Sequence, residues 1–252
     1  MTTVGFDRVQ HLVRVPVAVG GDEYRFLVDT GIGITVVSSA LAARSGARPI
    51  DETFTGRRMS GQSVETPLVR LPTLAFGDYT VDAHVAGVAD LGDIDGPHGF
   101  AGILGPAFFE QHVVTTDPVA STLTVGPRAA FAVDGYEIPL EIRRESVSVD
   151  PFVQLVLPSG REISAEVDTG SDGLILDTRY ASDCGVELDS PDVTTRTGTD
   201  ETGYVWTRHW LPRRRPRSRR RGCSSRTSST TGWWARTTLS ATACPSMSPV
   251  PG

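Results

Sequence analysis

Two short motifs carry the reactive side chains of this 252-residue chain, Asp29-Thr30-Gly31 and Asp168-Thr169-Gly170, placed 139 positions apart. Each follows an apolar residue of a strand-like run, Val28 and Val167. A single such triplet reads as an ordinary Asx-type turn at a strand end. Two carboxyls brought within about 3 Å of one another behave differently, because both cannot ionise and they share one proton. One member is then an acid and the other a base, the two functions that activation of a water molecule requires. Which Asp holds the proton is a property of the pair and is not assigned by sequence.

The elements that must position these motifs repeat with them. Val36-Val37 recurs as Ile175-Leu176, and Gly46 as Gly185, at the same offset of 139. The alternation of Val13, Val15, Val17 and Val19 predicts a strand, which Gly20-Gly21-Asp22 turns into a second strand over 24–28. Gly20-Gly21-Asp22-Glu23 before Tyr24 superficially resembles the signature of cyclic-dinucleotide synthases, but flanking strand patterns make it a hairpin turn. Further strands are expected at 35–38, 69–76, 81–88 and 113–125, punctuated by Gly-Asp, Asp-Gly and Gly-Pro pairs. Residues 38–44 read as a helix closed by Gly46, and 177–184 as its repeat closed by Gly185.

With the motifs in this setting, the chain resembles the aspartic protease superfamily of pepsin-like and retropepsin-like enzymes, in its bacterial single-chain form with two Asp-Thr-Gly motifs. Phe26-Leu27-Val28-Asp29-Thr30-Gly31 followed by Thr35-Val36-Val37 is similar to the family's catalytic loop, and Gly102-Ile103-Leu104-Gly105 to the apolar-apolar-Gly element that supports it. The run from Gly105 through Phe108-Phe109 to Val113-Val114-Thr115-Thr116-Asp117 and Leu123 resembles the strands that close a lobe. The resemblance covers 11–125 and, more loosely, 137–190. It implies an all-β, two-lobed acid-protease fold, a first lobe over 1–130 and a partial second lobe over 131–207.

The implied activity is peptide-bond hydrolysis by water, with Asp29 and Asp168 as the catalytic pair. Thr30, Gly31, Thr169, Gly170, Ile103, Leu104 and Gly105 would support the loops. In this family the two Thr hydroxyls bond across to the opposite loop, and the glycines admit close approach. A flap hairpin is expected over 57–65, centred on Ser60, Gly61 and Gln62, with 198–204 and Tyr204 as its weaker second-half counterpart; an ordinary surface hairpin is the alternative. The expected partner is a peptide or protein substrate, and the expected state a monomer. The alternatives are a homodimer that uses Asp29 from each chain, and an inactive retropepsin-like β-protein that binds peptides.

Composition narrows the rest. With 39% hydrophobic residues, 26 Gly and 17 Pro, the chain is turn-rich and globular, neither coiled coil nor disordered acidic polymer. No apolar run is long enough for a signal peptide or membrane span, and Cys184, Cys223 and Cys244 are too sparse for a disulfide framework, so a cytoplasmic location without membrane contact is expected. His11, His84, His98, His112 and His209 lack metal-ligand spacing, and no nucleotide or serine-hydrolase motif is present, so no metal or cofactor is expected.

The net charge of −6 averages two unlike pieces. Residues 1–207 carry −16, whereas 208–252 hold ten Arg and no acid, seven of those Arg within 211–221. Such a run usually marks nucleic-acid contact. Here the strand pattern and all acids vanish together, all four Trp fall within 206–234, and the region is where the repeat requires its second apolar-apolar-Gly element. The genetic code offers another reading. When the third base of each codon is joined to the next two bases, Trp233-Trp234-Ala235 spells Val-Gly without ambiguity, and the two preceding slots permit Gly-Leu. Twelve slots past that Gly, Asp is permitted, matching Asp117 twelve residues after Gly105; Tyr and Phe are permitted opposite Phe108 and Phe109, and Val opposite Val114. The reading frame is therefore expected to slip between about 205 and 212. That would leave 208–252 a disordered tail with no nucleic-acid role and the second lobe incomplete.

Overall fold

The computed structural model describes residues 1–58, 61–132, 137–199 and 205–210, together with the backbone of 240–242. Ser60 of the expected flap, Tyr204 and most of the Arg-rich stretch lie outside the described residues. The fold is all-β with short helices.

The first lobe runs through β1 (Thr2–Gly5), β2 (Asp7–Val9), β3 (Leu12–Val19), β4 (Asp22–Val28), β5 (Thr35–Ser38), α1 (Ser39–Arg44), β6 (Arg48–Arg57), β7 (Ser63–Arg70), β8 (Thr73–Phe76), β9 (Tyr79–Asp82), β10 (Val85–Ala89), β11 (Gly102–Leu104), α2 (Pro106–Phe109), β12 (Val113–Asp117) and β13 (Thr122–Gly126). One sheet has the order β6-β7-β10-β5-β11-β4-β3-β8-β9, with β2 added on β3, and a smaller sheet has the order β1-β13-β12. Gly20-Gly21 turns β3 into β4, as the pattern of valines anticipates.

Three expected strands are each divided. Leu71-Pro72 separates β7 from β8, Ala83 at φ 54° separates β9 from β10, and a turn at 118–121 separates β12 from β13. The first two divisions separate β7 and β10, which pair with each other towards one end of the large sheet, from β8 and β9 at its other end. The helix after β5 forms as expected: the Ser38 hydroxyl accepts from Leu41 N at 3.0 Å, and Gly46 follows the end of the helix at φ 71°.

The core of this lobe is dense. Phe26, Val37, Leu41, Leu74, Phe76 and Phe108 are fully enclosed, and burial of each such side chain stabilises by roughly 1.5–3 kcal/mol. Phe108 meets Phe109 and Tyr79 edge-on, which locks α2 onto the sheet.

The second lobe comprises β14 (Glu141–Glu145), β15 (Ser148–Val156), β16 (Glu162–Asp168), two single-turn 3-10 helices (Thr178–Tyr180 and Ser182–Cys184), β17 (Thr194–Thr199), β18 (Val205–Trp210) and β19 (Ser240–Thr242). The 3-10 turns stand where one short α-helix was expected. Asp177 caps the first by accepting from Arg179 N, as Ser38 caps its counterpart, and Gly185 closes the second at φ 66°. Strand β18 continues to Trp210, three residues past the expected limit of the lobe, and Ser240–Thr242 form a strand inside the stretch expected to be without order. Its core is thin: Leu157, Ile163 and Tyr180 form one cluster, Val153 and Ala165 another.

Candidate active site

The loop that carries Asp29 is opened by the topology around it. β11 inserts between β4 and β5, parallel to the first and antiparallel to the second, so the 29–34 connection cannot close as a hairpin. Asp29 N donates to the carbonyl of Leu104 at 3.1 Å, which fixes the start of the loop to β11. Immediately afterwards Gly105 passes so near the Ile34 carbonyl that any Cβ there would overlap it. Ile103, Leu104 and Gly105 thus lie directly against the first motif.

The second motif leaves the end of β16 and meets the first. A Cβ placed on Gly31 would lie 2.6 Å from Asp168 Cγ, and one on Gly170 would collide with the Asp29 carboxyl. Only glycine lets the loops approach this closely. Thr30 N donates to Thr169 Oγ1 at 3.1 Å, and Thr169 N to Thr30 Oγ1 at 3.0 Å. The Thr30 hydroxyl donates to the Val167 carbonyl at 2.5 Å, and that of Thr169 to Val28 at 3.4 Å. Further bonds between the lobes join Val149 N to the Gly33 carbonyl, Arg144 to Glu110, and His11 Nε2 to the Gly170 carbonyl.

The two carboxyls are not equivalent. Burial raises Asp29 from 3.8 to about 6; the Gly31 N–H opposes this, and the neighbouring Asp168 charge and carboxyl add to it. Asp168 accepts from Gly170 N at 2.7 Å and from the Ser171 hydroxyl at 2.5 Å. Ser171 was not among the residues singled out from sequence. Its signal was present, a hydroxyl three residues after the second Asp where the first repeat has Ile32.

Glu166, on the same face of β16 as Asp168, was also not anticipated. Burial, with the charges of Asp150, Asp168 and Asp29, raises it from 4.5 to about 8, and Arg143 partly offsets this. The first repeat has Leu27 at that position, only 4% exposed. Among the described residues no group of three His, Cys, Asp or Glu is arranged to hold a metal ion, and no helix is long and apolar enough to cross a membrane.

Gly61 and Gln62 lie in the turn that joins β6 to β7, where Arg58 N donates to the Gln62 carbonyl and Gly61 N to that of Arg58. The tip of this hairpin reaches the second lobe, for Arg58 shares a cleft with Asp172 and Gly173 just past the second motif.

Residues 15–108, somewhat over a third of the chain, match the family model described as aspartyl protease. A retropepsin-like aspartic protease from Rickettsia conorii, known from a crystal structure, is similar at 18% identity, over 48% of this chain and 86% of that chain, with a TM-score of 0.34. No curated protein matches the chain. The first lobe, from β3 to α2, is therefore the part of this molecule that is similar to aspartyl proteases.

Proposed function

We propose that the chain is an aspartic endopeptidase in which Asp29 and Asp168 together activate water against a peptide bond. The observation that carries this reading is the mutual approach of the two motifs, held by reciprocal Thr30–Thr169 hydrogen bonds. The inequality of the carboxyls suggests a division of labour. Asp29, which burial and the neighbouring carboxyl raise to about 6, is assigned the proton that the pair shares; Asp168, the carboxyl that also accepts from the Ser171 hydroxyl, is assigned the part of base. A water between them would lose a proton to Asp168 as its oxygen adds to the carbonyl carbon, and Asp29 would protonate the carbonyl oxygen. The resulting diol collapses when the nitrogen takes the proton now on Asp168, a diol hydroxyl returns a proton to Asp29, and the C–N bond breaks to release an amine and a carboxylic acid. The substrate would be an extended peptide crossing the pair beneath the β6–β7 hairpin, and no metal or cofactor enters a step.

Assay of peptide cleavage from pH 4 to 7 tests this. Asp29→Asn and Asp168→Asn are each expected to lower kcat by about a hundredfold or more, the scale of general acid–base catalysis. Loss with the first substitution alone would favour a homodimer that uses Asp29 from each chain.

One observation favours a second reading, a peptide-binding protein without catalysis. The edge of β16 next to Asp168 is occupied by β19 running antiparallel, whereas the matching edge of β4 carries the parallel supporting strand β11. Peptide binding by the wild-type chain, with no cleavage anywhere in that pH range, would establish this reading over the first.

A further inference from the structure

We propose that His11 is a positioning residue for Asp168: the tip of the β2–β3 hairpin crosses to the second lobe and, by holding the Gly170 carbonyl, fixes the peptide unit that presents the Ser171 hydroxyl to that carboxyl. The proposal rests on the reading of Asp29 and Asp168 as the working pair, and names a residue outside both motifs that holds the second loop in place.

The need for such a residue comes from Gly170. The close passage of the Asp29 carboxyl leaves no room there for a Cβ. The same lack of a side chain leaves the backbone torsions at Gly170 soft. Two donors to Asp168 stand on either side of this soft point: Gly170 N reaches Oδ1 at 2.7 Å, and the Ser171 hydroxyl reaches Oδ2 at 2.5 Å. Rotation of the peptide after Gly170 would leave the first bond in place and swing the second away. That peptide is the one whose carbonyl meets His11 Nε2 at 2.8 Å. A carbonyl has no proton to give, so Nε2 carries the hydrogen and the imidazole is the donor.

His11 is exposed, yet it stands on a braced support. Val9 pairs with Leu12, so Gln10 and His11 form a two-residue turn, with Gln10 at φ 57°. A positive φ is uncommon for such a side chain and persists where the surroundings over-determine it. Arg8 Nη1 donates to the His11 carbonyl at 3.4 Å across the turn. Behind it, Arg14 donates from Nε and Nη2 to the two oxygens of Asp7 at 2.8 and 2.9 Å, which ties β2 to β3. Arg14 Nη1 also donates to the Gly99 and Pro97 carbonyls at 2.8 and 3.1 Å, just before β11. The hairpin that delivers the imidazole is thus anchored to the segment that leads into the supporting strand of the first motif.

The repeat shows the same crossing in reverse. Arg14 pairs with Leu27 and Phe152 with Glu166, which stands 139 positions after Leu27, so His11 corresponds to Val149. Val149, at the start of β15, donates its N–H to the Gly33 carbonyl of the first loop at 3.2 Å. Ser148 and Asp150 lie so near Gly33 that a Cβ there would overlap both. Each lobe therefore reaches across and holds the loop of the other. The first loop is held by a backbone N–H and the second by an imidazole, so the second hold can be removed by substitution without altering the main chain.

His11→Ala and His11→Phe test this, the second filling space without supplying a donor. Each is expected to lower kcat about fivefold with KM within about twofold, the scale of one hydrogen bond to a neutral acceptor. His11→Gln, whose amide nitrogen supplies a donor near the place of Nε2, is expected to keep about half or more of the wild-type kcat. In a Ser171→Ala background, His11→Ala is expected to cost less than about twofold more, because the bond that it protects is already gone. Unchanged kcat in both His11→Ala and His11→Phe, equal loss in His11→Gln, or losses that multiply in the double variant each overturn the proposal. A wild-type chain that cleaves no peptide removes the peptidase reading, and the proposal is then read by NMR titration of the two carboxyls. The first proton loss from the pair is expected to move up by about half a pH unit in His11→Ala, to move in the same direction in Ser171→Ala, and to stay in place in His11→Gln. A titration unmoved by His11→Ala overturns the proposal.

Discussion

Asp29 and Asp168 share a motif but not an environment, and the difference comes from single neighbouring residues. Ser171 donates to Asp168, while the equivalent Ile32 offers Asp29 nothing. Hydrogen bonds to charged groups contribute about 1.5–3 kcal/mol, so Ser171→Ala is expected to lower kcat by about tenfold or more with little change in KM. Ser171→Thr, which keeps the hydroxyl, is expected to restore most of the rate; equal loss in both variants would mean that packing matters and not the donor. Glu166 is the other informative residue. Its folded value of about 8 lies above the 4.5 of a free carboxyl, so the folded state binds the extra proton between those values. Its contribution to stability is greatest below about pH 4.5 and is lost as pH rises toward 8. Glu166→Leu, which restores the residue of the first repeat, is expected to raise Tm at pH 8 and to change it little at pH 4.5, as thermal melts at the two values would read. The variant should also flatten the stability profile by on the order of a few kcal/mol.

The first lobe positions its motif through β11, a three-residue strand whose worth lies in where it is inserted. It satisfies backbone groups of both β4 and β5 and then turns sharply at Gly105. Gly105→Ala places a methyl group against the Ile34 carbonyl and is expected to destabilise the chain by about 1–3 kcal/mol, the cost of overpacking. Urea denaturation would read this as a lower midpoint at unchanged slope, and an unchanged midpoint would show that the loop can yield. The repeat made β4 and β5 legible because their apolar positions recur near fixed landmarks, and β11 was legible from Gly102-Ile103-Leu104-Gly105 through its resemblance to a known supporting element. It did not reveal the divisions between β7 and β8 or between β9 and β10. At those places strand-forming residues lie close to both sides of the break, and only the sheet order, with β7 and β10 towards one end and β8 and β9 at the other, separates them.

At the scale of the whole molecule, two titrations pull against one another. The proposed activity requires the proton on Asp29 and is expected to fall as pH rises above about 6. His84, half-buried against Phe108 and bonded to Thr35, is held down from 6.5 to about 4 by desolvation. Its neutral form contributes stability that is complete above about pH 6.5 and is lost as pH falls toward 4. The expected working range is therefore mildly acidic, between about pH 4 and 6. His84→Gln is expected to reduce the loss of Tm over that interval while leaving the alkaline limb of activity in place. A variant that melts in parallel with the wild type across pH 4–6.5 would remove His84 from this account.

The sequence by itself determined the repeat, the two motifs, the all-β class, the closing glycines Gly46 and Gly185, and the abrupt change of charge near residue 208. These are local or periodic properties, written in neighbouring residues and in a constant offset. Only the tertiary structure decided that the carboxyls meet, that Thr30 and Thr169 bond reciprocally, that Ser171 and Glu166 bear on Asp168, and that one lobe is closed while the other is open. Each of those depends on burial and on pairing between segments far apart in the chain. Such contacts arise when the lobes pack, and no window of sequence contains both partners.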